Sequence, residues 1–263
     1  MQSPAKMVVF SDLDGTLLDH DTYSWAAAQP ALTALDKRRV PVVLTSSKTG
    51  AEIQKLQNDM GLSQYPAIAE NGAGIVGIAA EKTDDDSPYM RLRKGLTKLS
   101  PDLRRHFRGF GDMADAHVAE TTGLPLPDAA RARQRQFSEP GLWSGSDDEK
   151  TAFIRQLQDK GIHAQQGGRF LTLSFGRTKA DAMKEIAAHL NADLTIALGN
   201  APNDIAMLEQ ADRGVIIANP HRDPLPTLKG EASGKIVRTS APGPLGWNDA
   251  IHQLLTETDL GTE

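Results

Sequence analysis

Cysteine is absent from this sequence of 263 residues. Its absence excludes disulfides, a thiolate nucleophile and thiolate metal ligands, and removes any cysteine-based sign of an oxidising compartment. An excess of positive charge is missing as well. Lys and Arg number 29 against 34 Asp and Glu, a net charge of −5, which argues against a nucleic-acid backbone or an anionic membrane as the main partner. No apolar run approaches the length of a membrane span, and Met1 to Phe10 contains no stretch long enough for a signal peptide, so a cytoplasmic protein is expected. There is no internal repeat, and the single like-charge run, Asp84-Asp85-Asp86, is expected to be a solvated loop. What is present is ordinary for a globular protein, 39% hydrophobic and 24% charged, and long enough for one or two domains.

The two ends of the chain share one grammar. Met7-Val-Val-Phe10, Pro41-Val-Val-Leu44 and Pro66-Ala-Ile-Ala69 read as short buried strands, the last followed by the turn signal Asn71-Gly72. Between them, Pro30 opens a helix that ends near Arg38. Thr49-Gly-Ala-Glu52 has the spacing of a capping box ahead of Ile53, Leu56 and Met60. Near the other end, Ala182, Met183, Ile186, Ala187 and Leu190 follow helical spacing. The strand Leu194–Leu198, a helix over Asp204–Gln210 and the strand Gly214–Ile217 come next. Strands alternating with helices predict an α/β fold, a doubly wound parallel sheet with ligands at the carboxyl ends of its strands. The middle is richer in Arg, Asp, Gly and Pro. It predicts helices over Pro101–Arg108 and Asp147–Lys160, with strands near Tyr89–Arg93, Gly141–Trp143 and Phe170–Ser174. We read residues 83–173 as an α+β domain inserted into a discontinuous core of residues 1–82 and 174–263.

The chemistry gathers where strands end. Asp12-Leu-Asp14-Gly15-Thr16 directly follows the first strand, and two carboxylates at i and i+2 in a loop can face one site. One can act as a nucleophile towards phosphorus and the other can protonate the leaving oxygen. Gly15 permits the sharp reversal that such a loop needs. Taken alone, the pair is equally compatible with solvated turn aspartates. A second acidic loop, Gly199-Asn200-Ala201-Pro202-Asn203-Asp204, follows another buried strand and offers hard oxygen ligands suited to Mg²⁺. Ser46, with Thr45 beside it as the alternative hydroxyl, follows the second strand. Lys179 precedes a helix and can supply positive charge to phosphoryl oxygens. The seven histidines, His20, His106, His117, His163, His189, His221 and His252, show no ligand spacing and are expected to be structural or surface residues.

This order of nucleophile loop, hydroxyl, insert, lysine and acidic loop resembles the haloacid dehalogenase superfamily of phosphatases. The resemblance implies Asp12 as nucleophile, Asp14 as general acid and then base, and Ser46 and Lys179 as phosphoryl-binding groups. It also implies Mg²⁺ held by Asp12, the Asp14 carbonyl, Asn200 and Asp204. The position of the insert resembles the large α+β cap of the sugar-phosphatase branch. Within it, Thr45-Ser-Ser-Lys-Thr49, Ala69-Glu-Asn-Gly-Ala73, Ala119-Glu-Thr-Thr-Gly-Leu124, Arg135-Gln-Phe-Ser-Glu-Pro140 and Gly168-Arg-Phe170 resemble the mannosyl-3-phosphoglycerate phosphatases. That narrower resemblance implies a small phosphorylated sugar-acid substrate, mannosyl-3-phosphoglycerate or its glucosyl analogue. Arg135 or Arg169 would hold the carboxylate, and Glu70, Asn71 or Glu139 would meet sugar hydroxyls. A phosphomutase or general sugar-phosphate phosphatase, and a non-catalytic sugar-phosphate binder, are the alternative functions. The superfamily has Asp where this chain has Asn200, so weaker Mg²⁺ binding is expected.

Overall fold

The computed structural model describes residues 6–78 and 87–260; the acidic run at 84–86 lies outside them. The first strand, β1 (Met7–Asp12), is buried along almost its whole length, because both faces of the sheet are covered. Val9 packs into an apolar cluster with Leu13, Leu17, Ile251 and Trp247 on one face. Val8 and Phe10 pack with Met183, Ile186, Met207 and Leu208 on the other. A strand covered on both sides has no polar face to show, so it reads as a continuous apolar run.

β1 pairs in parallel with β2 (Val42–Thr45) on one side and β9 (Leu194–Gly199) on the other. Beyond β2 lie β3 (Ala67–Ala69) and the antiparallel β4 (Gly74–Val76); beyond β9 lie β10 (Arg213–Ala218) and β11 (Ile236–Pro242). The order is β11-β10-β9-β1-β2-β3-β4. Chain direction across the sheet therefore reverses at β1, which is the switch point where ligands of such sheets bind. The register sets Asp12 beside Thr45 and Ser11 beside Leu198, so the loops leaving all three strands emerge together. Helices α1 (Gln29–Lys37) and α2 (Gly50–Met60) form as expected. The capping box of α2 is complete: the Thr49 hydroxyl accepts the Glu52 N–H, and the Glu52 carboxylate accepts the Thr49 N–H at 2.8 Å.

Between β4 and the later helix α8 (Lys179–His189) the chain builds a separate antiparallel sheet in the order β5-β6-β8-β7. Its strands are β5 (Phe107–Gly109), β6 (Glu139–Trp143), β7 (His163–Gly167) and β8 (Phe170–Ser174). Helices α3 (Pro88–Leu96), α4 (Pro101–Arg104) and α7 (Asp147–Gln158) flank this sheet, and Leu92, Leu96, Phe107, Phe153, Leu157 and Leu171 form its core. Two short helices, α5 (Asp115–Thr122) and α6 (Leu126–Ala132), add a smaller cluster around Phe110 and Val118.

Two sequence expectations are corrected in this segment. Tyr89–Arg93 is not a strand but the first half of α3. Ser87 caps it by accepting the Met90 N–H, Pro88 takes the first turn, and Leu92 and Leu96 bury one helical face. The helix expected over Pro101–Arg108 stops at Arg104, because Phe107 and Gly109 pair with Trp143 and Gly141 of β6. The remaining helices are α9 (Ile205–Gln210) and α10 (Gly243–Leu260). Among the described residues, no helix is long and apolar enough to cross a membrane.

Candidate active site

Lys179 is the centre of the site. It is 1% exposed, and its ammonium lies 2.6 Å from Asp12 Oδ1 and 2.7 Å from Asp204 Oδ1. Burial opposes its charge, but the two carboxylates outweigh burial and hold its pKa well above the ordinary value. Asp12 is driven the other way. Burial and the nearby Asp204 carboxylate push it up to about 6, against the lowering effect of Lys179. The remaining oxygen of Asp204 accepts the N–H groups of Asn200 and Ala201, each at 3.0 Å. Both Asp204 oxygens are thus engaged inside the protein, and what the structure shows for this residue is the orientation of Lys179 and of the Asn200 loop.

Two glycines make this packing possible. A side chain at Gly72, whose φ is +91°, would lie 2.1–2.3 Å from the backbone of Thr178 and Lys179, so only glycine lets the turn after β3 press against the start of α8. Gly15, at φ +75°, packs the loop after β1 against the Asn219 and Asn200 amides, the nearer only 2.6 Å from a built Cβ. The Asn200 side chain donates to the Asp14 carbonyl at 2.9 Å and to the Thr16 hydroxyl at 2.8 Å, while Thr16 donates to Asp12 Oδ2 at 3.2 Å.

Around this centre the sequence-expected groups divide. Ser46 directly follows β2, and its hydroxyl accepts the Lys48 N–H at 3.2 Å. The hydroxyl of neighbouring Thr45 is turned to the Met207 sulfur instead. Asn71 accepts a hydrogen bond from Asn203 at 2.9 Å, joining the β3 turn to the acidic loop. Glu70 is buried and works within the protein. Its carboxylate accepts the N–H groups of Gln136, Phe137 and Ser138 and the Ser138 hydroxyl, and lies 3.2 Å from Arg135 Nε. Glu70 and Asn71 both adopt positive φ, +54° and +59°, a strained conformation that this bonding over-determines. Arg135 also reaches the Ser47 carbonyl and Ser138. Glu139, fully buried, accepts from Gly111 N–H and Tyr89 and pairs with Arg93 at 3.3 Å. Burial and Glu139 raise the Tyr89 phenol far above its usual range, which keeps it a donor. Arg169 is exposed, donates to the Thr121 carbonyl and lies over the Phe170 ring. The structure therefore joins Asp12, Asp14, Ser46, Asn71, Lys179, Asn200 and Asp204, and leaves Glu139 and Arg169 among partners in the second sheet.

One residue escaped the sequence reading. Lys48 closes on both Asp14 oxygens at 2.6 and 2.7 Å and lies 5.3 Å from the centre of the Tyr23 ring. The signal was present, since Lys48 stands two residues after Ser46 in the same strand-end loop. A cleft of about 1020 Å³ lies between the two sheets and meets the site at Lys48, Asn71 and Asn203; Arg131, Arg135 and Arg222 are also among its lining residues, with Glu52 and Asp128.

A family model, that of haloacid dehalogenase-like hydrolases, matches residues 9–90 and 146–225. The chain belongs to this family. The two matched stretches flank residues 91–145, most of the segment that builds the second sheet. Solved structures similar to this hydrolase include a hypothetical protein from Geobacillus kaustophilus HTA426, with 19% identity, a TM-score of 0.69, and 96% of this chain and 99% of that chain covered. The sucrose-phosphatase from Synechocystis sp. PCC6803, solved with sucrose and phosphate, gives 17% identity, a TM-score of 0.58, and coverage of 97% and 98%. A phosphatase of the haloalkanoate superfamily from Bacteroides thetaiotaomicron gives 17%, 0.57, and coverage of 97% and 96%. At these identities the likeness is one of fold.

The donor set fits a hard divalent cation in its chemistry: the Asp12 carboxylate, the Asp14 carbonyl and the Asn200 amide are all oxygen donors. In the present arrangement Asn200 turns its N–H₂ towards the Asp14 carbonyl. To serve a cation it must turn its oxygen inward, a half-turn about a broad terminal torsion.

Two predictions arise here. Replacing Glu70 by Gln presents an N–H₂ group to a nest of donors, and chemical denaturation should show a loss of about 3 kcal/mol. The second concerns Asp12, whose raised pKa makes its ionised form costly to the fold. That contribution to stability is present below 3.8 and lost as pH rises through about 6. The metal-free protein should therefore lose melting temperature as pH rises through about 6, and Asp12→Asn should flatten that loss. Thermal melts across pH check the sign.

Proposed function

We propose that this hydrolase is a phosphomonoesterase that converts mannosyl-3-phosphoglycerate, or its glucosyl analogue, to the glycosylglycerate and inorganic phosphate. The observation that carries the reading is the buried Asp12–Lys179–Asp204 chain at the switch point of the sheet, with neighbouring Asp14 held by Lys48 at the lining of the cleft. Asp12 attacks phosphorus, the bond from phosphorus to the ester oxygen breaks, and Asp14 delivers a proton to that oxygen. Water then attacks the aspartyl-phosphate while Asp14 takes its proton, and phosphate leaves. Lys179 spends two of its three N–H donors on carboxylates and keeps the third for a phosphoryl oxygen. The Ser46 hydroxyl serves the same group. Asp14 is freed for proton transfer when the anionic substrate draws Lys48 away from it. Asp12, the Asp14 carbonyl and Asn200 would hold Mg²⁺, which supplies positive charge against the phosphoryl oxygens when bound.

The substrate class rests on charge and size. A glycosyl phosphoglycerate carries a phosphate and a carboxylate, and the cleft lining includes Lys48, Arg131, Arg135 and Arg222. Kinship in fold with a subclass IIB sugar phosphatase and with a sucrose-phosphatase points the same way. Residues 83–173 serve as the cap over a core of 1–82 and 174–263, and their closure excludes water during transfer.

Phosphate release should be measured from both glycosyl-3-phosphoglycerates and from simple sugar phosphates, with Mg²⁺ titrated and no acceptor present. We expect metal-dependent release, fastest with one glycosyl phosphoglycerate, and none from Asp12→Asn. Release from simple sugar phosphates alone would discard the substrate and keep the chemistry. Silence on every compound at high Mg²⁺ would discard both. Restoring the carboxylate with Asn200→Asp should lower the Mg²⁺ concentration for half-activity severalfold; an unchanged value would remove Asn200 from the ligand set.

A further inference from the structure

His20 and His221 come from opposite ends of the chain and meet on the surface beside Asp21. The two imidazoles stack with centroids 4.1 Å apart and planes 19° apart. Asp21 Oδ2 lies 3.7 Å from His221 Nε2. One ligand atom from each of the three side chains lies within 4.8 Å of the other two. All three residues are exposed, so the site is open to solvent and to an entering ion.

The loops that carry them are held in shape from beneath. Asp19 accepts from the Thr22 N–H at 2.9 Å and the Thr22 hydroxyl at 2.7 Å, and Asp19 N–H donates to the Ser24 carbonyl at 2.9 Å. These bonds close residues 19–24 into a tight turn. On the other side, the Asn219 side chain accepts the His221 N–H at 3.0 Å, and the Asn219 carbonyl accepts the Arg222 N–H. The backbone therefore does not need to reorganise for the three side chains to converge.

From this juxtaposition we propose that His20, Asp21 and His221 form a transition-metal site, separate from the Mg²⁺ position, whose bound ion latches the 19–24 turn to the 219–222 turn. Two imidazoles and one carboxylate suit Zn²⁺, Ni²⁺, Co²⁺ or Cu²⁺, whereas Mg²⁺ prefers oxygen donors alone. Bonds to zinc are about 2.0–2.1 Å from imidazole nitrogen or carboxylate oxygen, so the three exposed side chains close further by rotation about their own torsions. Water completes the shell. Both turns reach the cleft, the first through Tyr23 and the second through Arg222, so the ion fixes one wall of the cleft mouth. Local spacing could not reveal this site, because its two histidines are joined only by the fold.

The test is titration of the full-length protein with Co²⁺ in saturating Mg²⁺, following visible absorption by the bound ion, with Zn²⁺ displacement and thermal melts alongside. The parent protein and Asp12→Asn should bind one ion alike and melt higher with it. His20→Ala and His221→Ala should each weaken binding by at least the roughly tenfold to hundredfold that losing even an outer partner of a metal site costs. Circular dichroism verifies that these surface variants fold, and their Mg²⁺-supported phosphate release, or in its absence their melting without Co²⁺, should match the parent. Binding that survives both histidine substitutions, binding that disappears in Asp12→Asn, or no saturable binding by the parent would each overturn the site. None of these readouts requires the substrate assignment to be right.

Discussion

A single buried ammonium organises this molecule. Lys179 sits between Asp12 and Asp204 with almost no access to water, and an unpaired charge in such a place is prohibitively costly. The fold must therefore bring the ends of β1 and β9 and the start of α8 to one point. The parallel register of β1 with β9 does this for the carboxylates, and the close approach at Gly72 does it for the lysine. The stability of the core and the chemistry of the site draw on the same three residues. The arrangement also stores an opposition. Burial and the Asp204 carboxylate disfavour the ionised form of Asp12, and Lys179 keeps that form accessible.

Much of the core was legible in the sequence because its strands are covered on both faces. Met7–Phe10 could be read as an uninterrupted apolar run and Leu194–Leu198 as one broken only by Thr195, and the groups that matter stand directly after them. The capping box at Thr49 and the helix at Ala182–Leu190 carried their own local signals. The inserted segment was harder for a physical reason. Phe107 is drawn out of a helical stretch by pairing with Trp143 across the sheet, and no feature within Pro101–Arg108 announces that partner. Tyr89–Arg93 erred in the opposite direction, since the cap at Ser87 and the fourfold spacing of Leu92 and Leu96 outweigh the aromatic and apolar residues that suggested a strand.

The site shows the same division between local and distant information. Asp12, Asp14, Ser46, Lys179 and the Asn200–Asp204 loop announce themselves by their place after strands or before helices. Glu70 and Glu139 do not. In sequence each is a polar residue near a turn, open to reading as a substrate ligand. Only the fold reveals that Glu70 gathers the N–H groups of residues 136–138 and that Glu139 anchors Tyr89 and Arg93. Lys48 stood in the strand-end loop beside Ser46, but only the fold places Asp14 against it.

The Glu70 contact also determines how the two sheets respond to their surroundings. It joins the turn after β3 to the chain entering β6 through a carboxylate sealed from solvent. Mobile ions cannot enter such a contact, so its strength is nearly independent of ionic strength. The pair between the two short helices beside the second sheet, Arg133 at the end of α6 with Asp115 at the start of α5, lies at the solvent boundary and weakens as salt rises. In concentrated electrolyte, then, the contact between these two short helices loosens first, while the Glu70 link between the two sheets holds.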